Sequence, residues 1–390
     1  MDHSLSNLKI LDFTTLLPGP FATVMLADMG AEVVRISSKS RYDLVFESGE
    51  ALDDTLTAPG AWLGRNKKAL SLNLKTPEAV AIVKRLIQDY DILIEQFRPG
   101  VMERLGLGYE TLKALNPRLI YVSITAYGQT GPLKNRAAHD INFLARSGIM
   151  HASGRTASGP SLMNTQVGDL AGGALHGIIG LLSAVNERHV SGLGQHVDVA
   201  MIDALLPLNT LSAVNYLAGG DEPRREGEPF NGSNLYDFYE TADGEYLSVA
   251  PLEPKFFNRF CELVPVAGLK EAGPYTRDPE LKASLRRHFK GEPLSYWTAL
   301  FKDEDCCVEP VLTLEEALFN PQTEARDMVT SLDYNGRTIR QVACPIHFSR
   351  TDNRYDHIGE PAGKDTYDLL SALGYSATTL QAWDDQGVFD

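Results

Sequence analysis

The stretch KILDFTTLLPGPFATVMLADMGAEVVRI, residues 9–36, decides the fold. Residues 9–13 (KILDF) form a short run of β character, residues 20–29 (PFATVMLADM) favour a helix, and residues 31–36 (AEVVRI) return to β-branched side chains. Pro20 suits the first helical turn and Gly30 the helix end, so the segment reads as a compact strand–helix–strand unit. The same grammar recurs downstream. Thr76-Pro77 is a cap followed by a first-turn proline, and Ile82, Val83, Leu86 and Ile87 fall at helical spacing. DILIEQF (91–97) has the continuous apolar character of a buried strand, and LIYVSIT (119–125) supplies another. Strands alternating with helices imply an α/β fold on a doubly wound, mainly parallel sheet, with ligands at the carboxyl ends of the strands.

Further along, LAGGALHGIIGLLSAVNER (170–188) is a helix rich in small residues, and QHVDVAM (195–201) has β character again. Gly172, Gly173 and Gly177 weaken an isolated helix, so close packing or a closely approaching ligand must offset them. The apolar stretch that starts at residue 201 gives way to charged, Gly- and Pro-containing sequence at DEPRREGEPFNG, so 201–227 reads as a linker. Residues 228–325 read as a smaller α/β domain that opens on a hairpin, NLYDFYETADGEYLSVA, with Ala242-Asp243-Gly244 at its turn.

The chain has 390 residues, 36 Lys and Arg against 51 Asp and Glu, a formal net charge of −15 and 43% hydrophobic residues. That length and apolar content can bury a core without disulfide or metal staples. The acidic balance argues against nucleic acid or an anionic membrane as partner, because gathering phosphates over a broad surface needs a large positive field. No apolar run long enough to cross a bilayer is expected, and Met1-Asp2-His3-Ser4 lacks the basic start of a signal peptide, so a cytoplasmic location is expected. Cys261, Cys306, Cys307 and Cys344 show no C-x-x-C spacing and are expected to be reduced, structural thiols.

Phosphate-loop, nucleophile-elbow, dinucleotide-binding and H-E-x-x-H metal motifs are absent from the sequence. Three local constellations carry the chemistry that is left. His139, within Arg136-Ala137-Ala138-His139-Asp140-Ile141-Asn142, has an imidazole that exchanges protons near neutrality, although a helix-capping or core role is the commoner fate of a lone histidine. Asp169 precedes Leu170-Ala171-Gly172-Gly173, where small residues and helix-start N–H groups suit a negatively charged substrate oxygen; an N-cap aspartate is the plainer explanation of the acid. Glu253 sits between Pro251-Leu252 and Pro254, on a constrained backbone that can orient an imidazole, or simply lies in solvent.

At these residues the sequence resembles the family III CoA-transferase and α-methylacyl-CoA racemase superfamily, nearly end to end. The resemblance is carried by residues 11–36, by LSLNLKTPEA (70–79), and by EQFRPGVMERLGLGYETL (95–112) with NPRLIYVSITAYGQTGP (116–132). It continues through HDINFLARSG (139–148), VGDLAGGALHGIIGLLSAV (167–185), GLGQHVDVAMIDALL (192–206) and CVEPVLTLEEAL (307–318). It implies a large Rossmann-like, CoA-binding domain over 1–200 completed by 326–390, and an interlaced homodimer whose sites lie between the large domain of one subunit and the small domain of the other. Both reactions of the superfamily use the aspartate matched by Asp169: as a nucleophile in a transferase, as one of two bases in a racemase.

Three features favour the racemase. His139 stands in the racemase pattern, where formyl-CoA transferases carry a tyrosine. Leu17 stands where those transferases carry an active-site glutamine, and their glycine-run loop is not visible between 225 and 255. Leu252-Glu253-Pro254 resembles the racemase segment whose glutamate pairs with the catalytic histidine. Inversion at a carbon needs one group on each face, which His139 and Asp169 supply, with the enolate oxygen assigned to N–H groups at the start of the Gly-rich helix. No cofactor or metal is then required, and coenzyme A enters as part of an acyl-CoA substrate. By the same resemblance Arg98, Arg104 and Lys75 gather the CoA phosphates, with Leu72, Asn73 and Phe97 beside the nucleotide. Many relatives have a further basic residue after the V-V-R strand, where Ser37-Ser38 stand here, and Arg41 is the open candidate for its place.

Overall fold

The short apolar runs pair into one parallel sheet of six strands: β1 (Lys9–Asp12), β2 (Glu32–Ser37), β3 (Lys67–Ser71), β4 (Ile92–Glu95), β5 (Ile120–Thr125) and β6 (His196–Ala200), in the order β3-β2-β1-β4-β5-β6. Ile10 pairs with Val33 on one side and Ile92 on the other, so the order reverses at β1 and opens a crevice beyond the carboxyl ends of β1 and β4. The computed structural model describes residues 3–390 and divides into two compact units. The first comprises the chain up to Ser147, Thr165–Leu208 and Gln322–Asp390; the second comprises Gly148–Asn164 and Asn209–Pro321.

The helix after β1 runs Pro18–Asp28, two residues earlier than its sequence suggests, because Pro18 and Pro20 both fit a first turn. Leu16, just before it, adopts a left-handed φ of 59°, and its N–H donates to Asp43 Oδ2 at 3.1 Å. β3 escapes a reading by polarity, since it begins Lys67-Lys68. Lys67 is 1% exposed, its Nζ donating to Thr23 Oγ1 (2.6 Å), Pro20 O (3.1 Å) and Asp12 Oδ2 (3.3 Å), so the charge is buried with its partners. β3 is also an edge, and the C-terminal segment covers it. Ala69 N–H donates to Asp365 Oδ2 at 2.6 Å, Asp365 N–H returns to Ala69 O at 3.0 Å, and Ser71 N–H donates to Thr366 Oγ1 at 3.1 Å.

The Gly-rich segment is one continuous helical run: a π-helix, Gly168–Leu175, leads into an α-helix, His176–Ser191. Its glycines serve packing. A Cβ on Gly173 would stand 2.9 Å from Pro18 Cβ, and one on Gly177 would stand 2.9 Å from Ile124 Cδ1. At 24 residues this run is long and apolar enough to cross a membrane by length and composition, contrary to the expectation that no such stretch exists. Burial of Ala174, Ile178, Leu181, Ala184 and Val185, on a run packed against β5 and β6, accounts for its apolar side chains.

The second unit has a three-stranded antiparallel sheet of β7 (Asp237–Glu240), β8 (Tyr246–Val249) and β9 (Val308–Pro310), with Gly244 at the β7–β8 turn in a left-handed conformation. Its core is built on Leu235, Tyr239, Leu247, Phe260, Phe289 and Trp297. The expected linker over 201–227 is corrected: Met201–Leu208 and Thr210–Leu217 are helices, as the apolar periodicity before residue 218 allows. Residues 148–164 also belong to this unit, where Arg155 pairs with the buried carboxylate of Asp237 on β7. β10 (Val329–Tyr334) and β11 (Arg337–Val342) form an antiparallel hairpin in the first unit. All four cysteines are free thiols.

Candidate active site

His139 ends an extended segment (φ −123°, ψ 176°) and caps the helix Asp140–Arg146 with its backbone, its own N–H donating to Asn142 Oδ1 at 3.0 Å. The residue is exposed, so the capping role lies in the main chain and leaves the imidazole at the surface of the first unit. Asp169 is not an N-cap: it is the second residue of the π-helix and is partly buried. Burial first, and the negative charge of Asp140 second, push its carboxyl up to about 7. A carboxyl that is half ionised at neutrality can both remove and deliver a proton.

The first N–H groups of this helix, assigned from sequence to an enolate oxygen, are partly engaged already. Asp169 N–H donates to Asp140 Oδ1 at 3.1 Å, and Leu170 N–H donates to Gln166 O at 2.9 Å. The helix Asp140–Arg146 packs against the π-helix, so His139 and Asp169 are carried by neighbouring elements of one unit. Glu253 belongs to the second unit, where it is exposed and caps the helix Pro254–Leu263 through its backbone carbonyl, which accepts from Phe257 N–H at 2.9 Å.

Beyond the carboxyl ends of β1 to β4 the first unit has a cavity of about 1360 Å³. Five of the six residues assigned to CoA line it: Leu72, Asn73, Lys75, Phe97 and Arg98. Arg104 does not. It ends the short helix Val101–Arg104, whose turn presents Val101 and the following Leu105 to the cavity instead. Arg41 does line the wall, its guanidinium 5.6 Å from the Phe97 ring centroid, so a cation reaches the space left by Ser37-Ser38. Lys39 and Arg35 join it, the latter packed 3.6 Å from the Phe46 ring centroid. Neither was singled out from sequence, although both stand in or just after β2, at the carboxyl end where a ligand is expected. Thr15 and Leu16 form another part of the wall, and Pro18 in the same loop packs on Gly173 of the π-helix, which joins the cavity's edge to the element that holds Asp169.

The parallel sheet and its cation-lined switch-point cavity describe a ligand-binding α/β protein, and its class follows from comparison with known proteins. The chain matches CoA-transferase family III over residues 5–366 and belongs to that family. α-Methylacyl-CoA racemase of Homo sapiens is 35% identical over 330 residues, covering 83% of this chain and 81% of that protein. Succinate–glutarate CoA-transferase of Agrobacterium fabrum is 30% identical over 384 residues, covering 95% of each. Among solved structures, a CAIB/BAIF family protein from Brucella suis superposes with a TM-score of 0.83 at 27% identity, covering 96% of this chain and 100% of that one. The protein is thus an enzyme of the superfamily in which both racemases and CoA-transferases are found.

Proposed function

We propose that this enzyme interconverts the (R) and (S) epimers of a 2-methylacyl-CoA thioester by two-base proton transfer. The observation that carries the reading is that the helix His139 opens packs against the π-helix holding Asp169 within one unit; burial there pushes the Asp169 carboxyl up to about 7. A group that titrates near neutrality serves as base in one direction and acid in the other. In one direction the Asp169 carboxylate removes the α-proton and the C–H electron pair moves onto the thioester oxygen as an enolate. The His139 imidazolium then returns a proton to the opposite face. The enzyme is left with a protonated Asp169 and a neutral His139, which is the starting state for the reverse reaction.

Lys75, Arg98 and Arg41 supply the local positive charge that a chain of net charge −15 needs to receive CoA phosphates. Glu253 orients the His139 ring from the small domain of a second subunit, in an interlaced cytoplasmic homodimer with a doubly wound large domain. The second reading is transfer of CoA to a carboxylate, with Asp169 attacking the thioester carbonyl to form an anhydride and release CoA thiolate; the transferase relatives favour it. The raised carboxyl weighs on both readings alike, because a base and a nucleophile must each be ionised.

Incubation of the enzyme in D2O with a 2-methylacyl-CoA and a free carboxylic acid separates the two by mass spectrometry. Deuterium at the α-carbon without CoA migration is the expected result. CoA migration without deuterium gain overturns the racemase reading.

A further inference from the structure

Asp140 is linked to both candidate proton-transfer groups, to His139 through the chain and to Asp169 through a hydrogen bond. It follows His139 directly and opens the helix Asp140–Arg146, and its Oδ1 accepts the N–H of Asp169, 29 residues downstream, at 3.1 Å. The fit around that bond is tight: a Cβ on Gly168 would stand 2.9 Å from the same Oδ1 and 3.2 Å from Phe143 Cδ2. Asn142, one turn along, holds the His139 amide at 3.0 Å. One helical turn therefore fixes the main chain on both sides of the proposed reaction.

We infer that Asp140 is a positioning residue, whose carboxylate pins the Asp169 backbone to the turn that begins at His139 and so sets the spacing of the two groups. The inference rests on the reading of His139 and Asp169 as the proton-transfer pair. Asp140 also acts through its charge. The elements packed against the π-helix also carry Asp28, Tyr121, Arg146, His176, Glu187, Arg188, His189, His196, Asp198 and Asp203, and Asp28 is paired with Arg65 at 2.5 Å. Neither these nor His139 contributes to the upward displacement of Asp169; apart from burial, Asp140 alone does. The same carboxylate thus gives Asp169 its place and part of its basicity.

Two variants separate these effects. Asp140→Asn keeps an acceptor oxygen and removes the charge; Asp140→Ala removes both. The Asp169 carboxyl is followed by ¹³C NMR of aspartate-labelled enzyme, assigned with Asp169→Asn, and turnover by α-deuterium exchange. In Asp140→Asn the Asp169 midpoint moves down from about 7 and the acidic limb of the exchange profile moves with it. In Asp140→Ala kcat falls by about tenfold or more at every pH while KM for the acyl-CoA stays within about threefold, as expected when alignment is lost and binding kept. An unchanged midpoint in Asp140→Asn, or wild-type kcat in Asp140→Ala, overturns the inference. If Asp140→Ala does not fold, the titration of Asp140→Asn decides. If the wild type itself exchanges no deuterium, the reaction reading fails, and the titration still decides the role of Asp140.

Discussion

Asp169 keeps its proton into the neutral range, and that has a thermodynamic sign. Its carboxyl ionises near 3.8 in the unfolded chain and near 7 in the folded one, so between those values the folded state binds the proton more tightly. The contribution to stability is full below about 4 and is lost as the pH rises through 7. Asp169→Asn is expected to lose exchange activity by roughly 10²- to 10⁴-fold. The same variant should be more stable than the wild type at pH 8 by about 1 kcal/mol, solvent screening having reduced the full linkage value, with the gain gone at pH 4. Thermal melts at the two pH values check this; equal melting temperatures at pH 8 contradict the raised carboxyl. The candidate pair was legible because a lone acid before a glycine pair, and a histidine among polar neighbours, stand out in sequence. The bond from Asp140 to Asp169 was not, since nothing in local spacing announces a contact across 29 residues. Arg104 and Arg41 exchanged places at the cavity for a similar reason: a helical turn carried one off the wall, and a loop after β2 brought the other onto it.

At the scale of elements, the π-helix and the α-helix that continues it depend on the absence of side chains. Gly173 faces Pro18 Cβ and Met201 Sδ at 2.9 and 3.0 Å from where a Cβ would stand. Gly173→Ala should therefore cost about 1–3 kcal/mol by overpacking, even though alanine is the better helix former by about 1 kcal/mol. Denaturant unfolding measures the balance, and a stabilised variant would show that the π-helix has room to shift. The glycines marked this helix as unusual in sequence, but its wider turn is invisible there because apolar spacing does not resolve a local change of pitch. β3 was hidden by chemistry. Lys67 sits beside the solvent-facing Lys68 in sequence, yet it is buried among Asp12, Thr23 and the Pro20 carbonyl. The strands β1, β2, β4, β5 and β6, whose residues are largely apolar and β-branched, were plain from the outset.

Over the whole molecule, the proposed chemistry uses groups from both units, His139 and Asp169 from the first and Glu253 from the second. If the site is shared between subunits, His139→Ala and Glu253→Ala homodimers are each impaired, yet unfolding and refolding them together restores about a quarter of wild-type exchange, because half of the dimers are hybrids with one intact site. No recovery on mixing means that Glu253 serves its own chain or has no part in the reaction. The two-unit division was visible in sequence as a change of composition, but its boundaries were not, because the apolar helices after residue 200 resemble core while the residues that tie 148–164 to β7 are an isolated arginine and aspartate. The closing of β3 by Asp365 and Thr366 has a consequence for synthesis. A ribosome releases the sheet's outer edge nearly 300 residues before the segment that seals it, and the whole second unit emerges in between. During that interval the nascent chain presents an unsealed β edge, a surface on which chaperones and neighbouring chains compete.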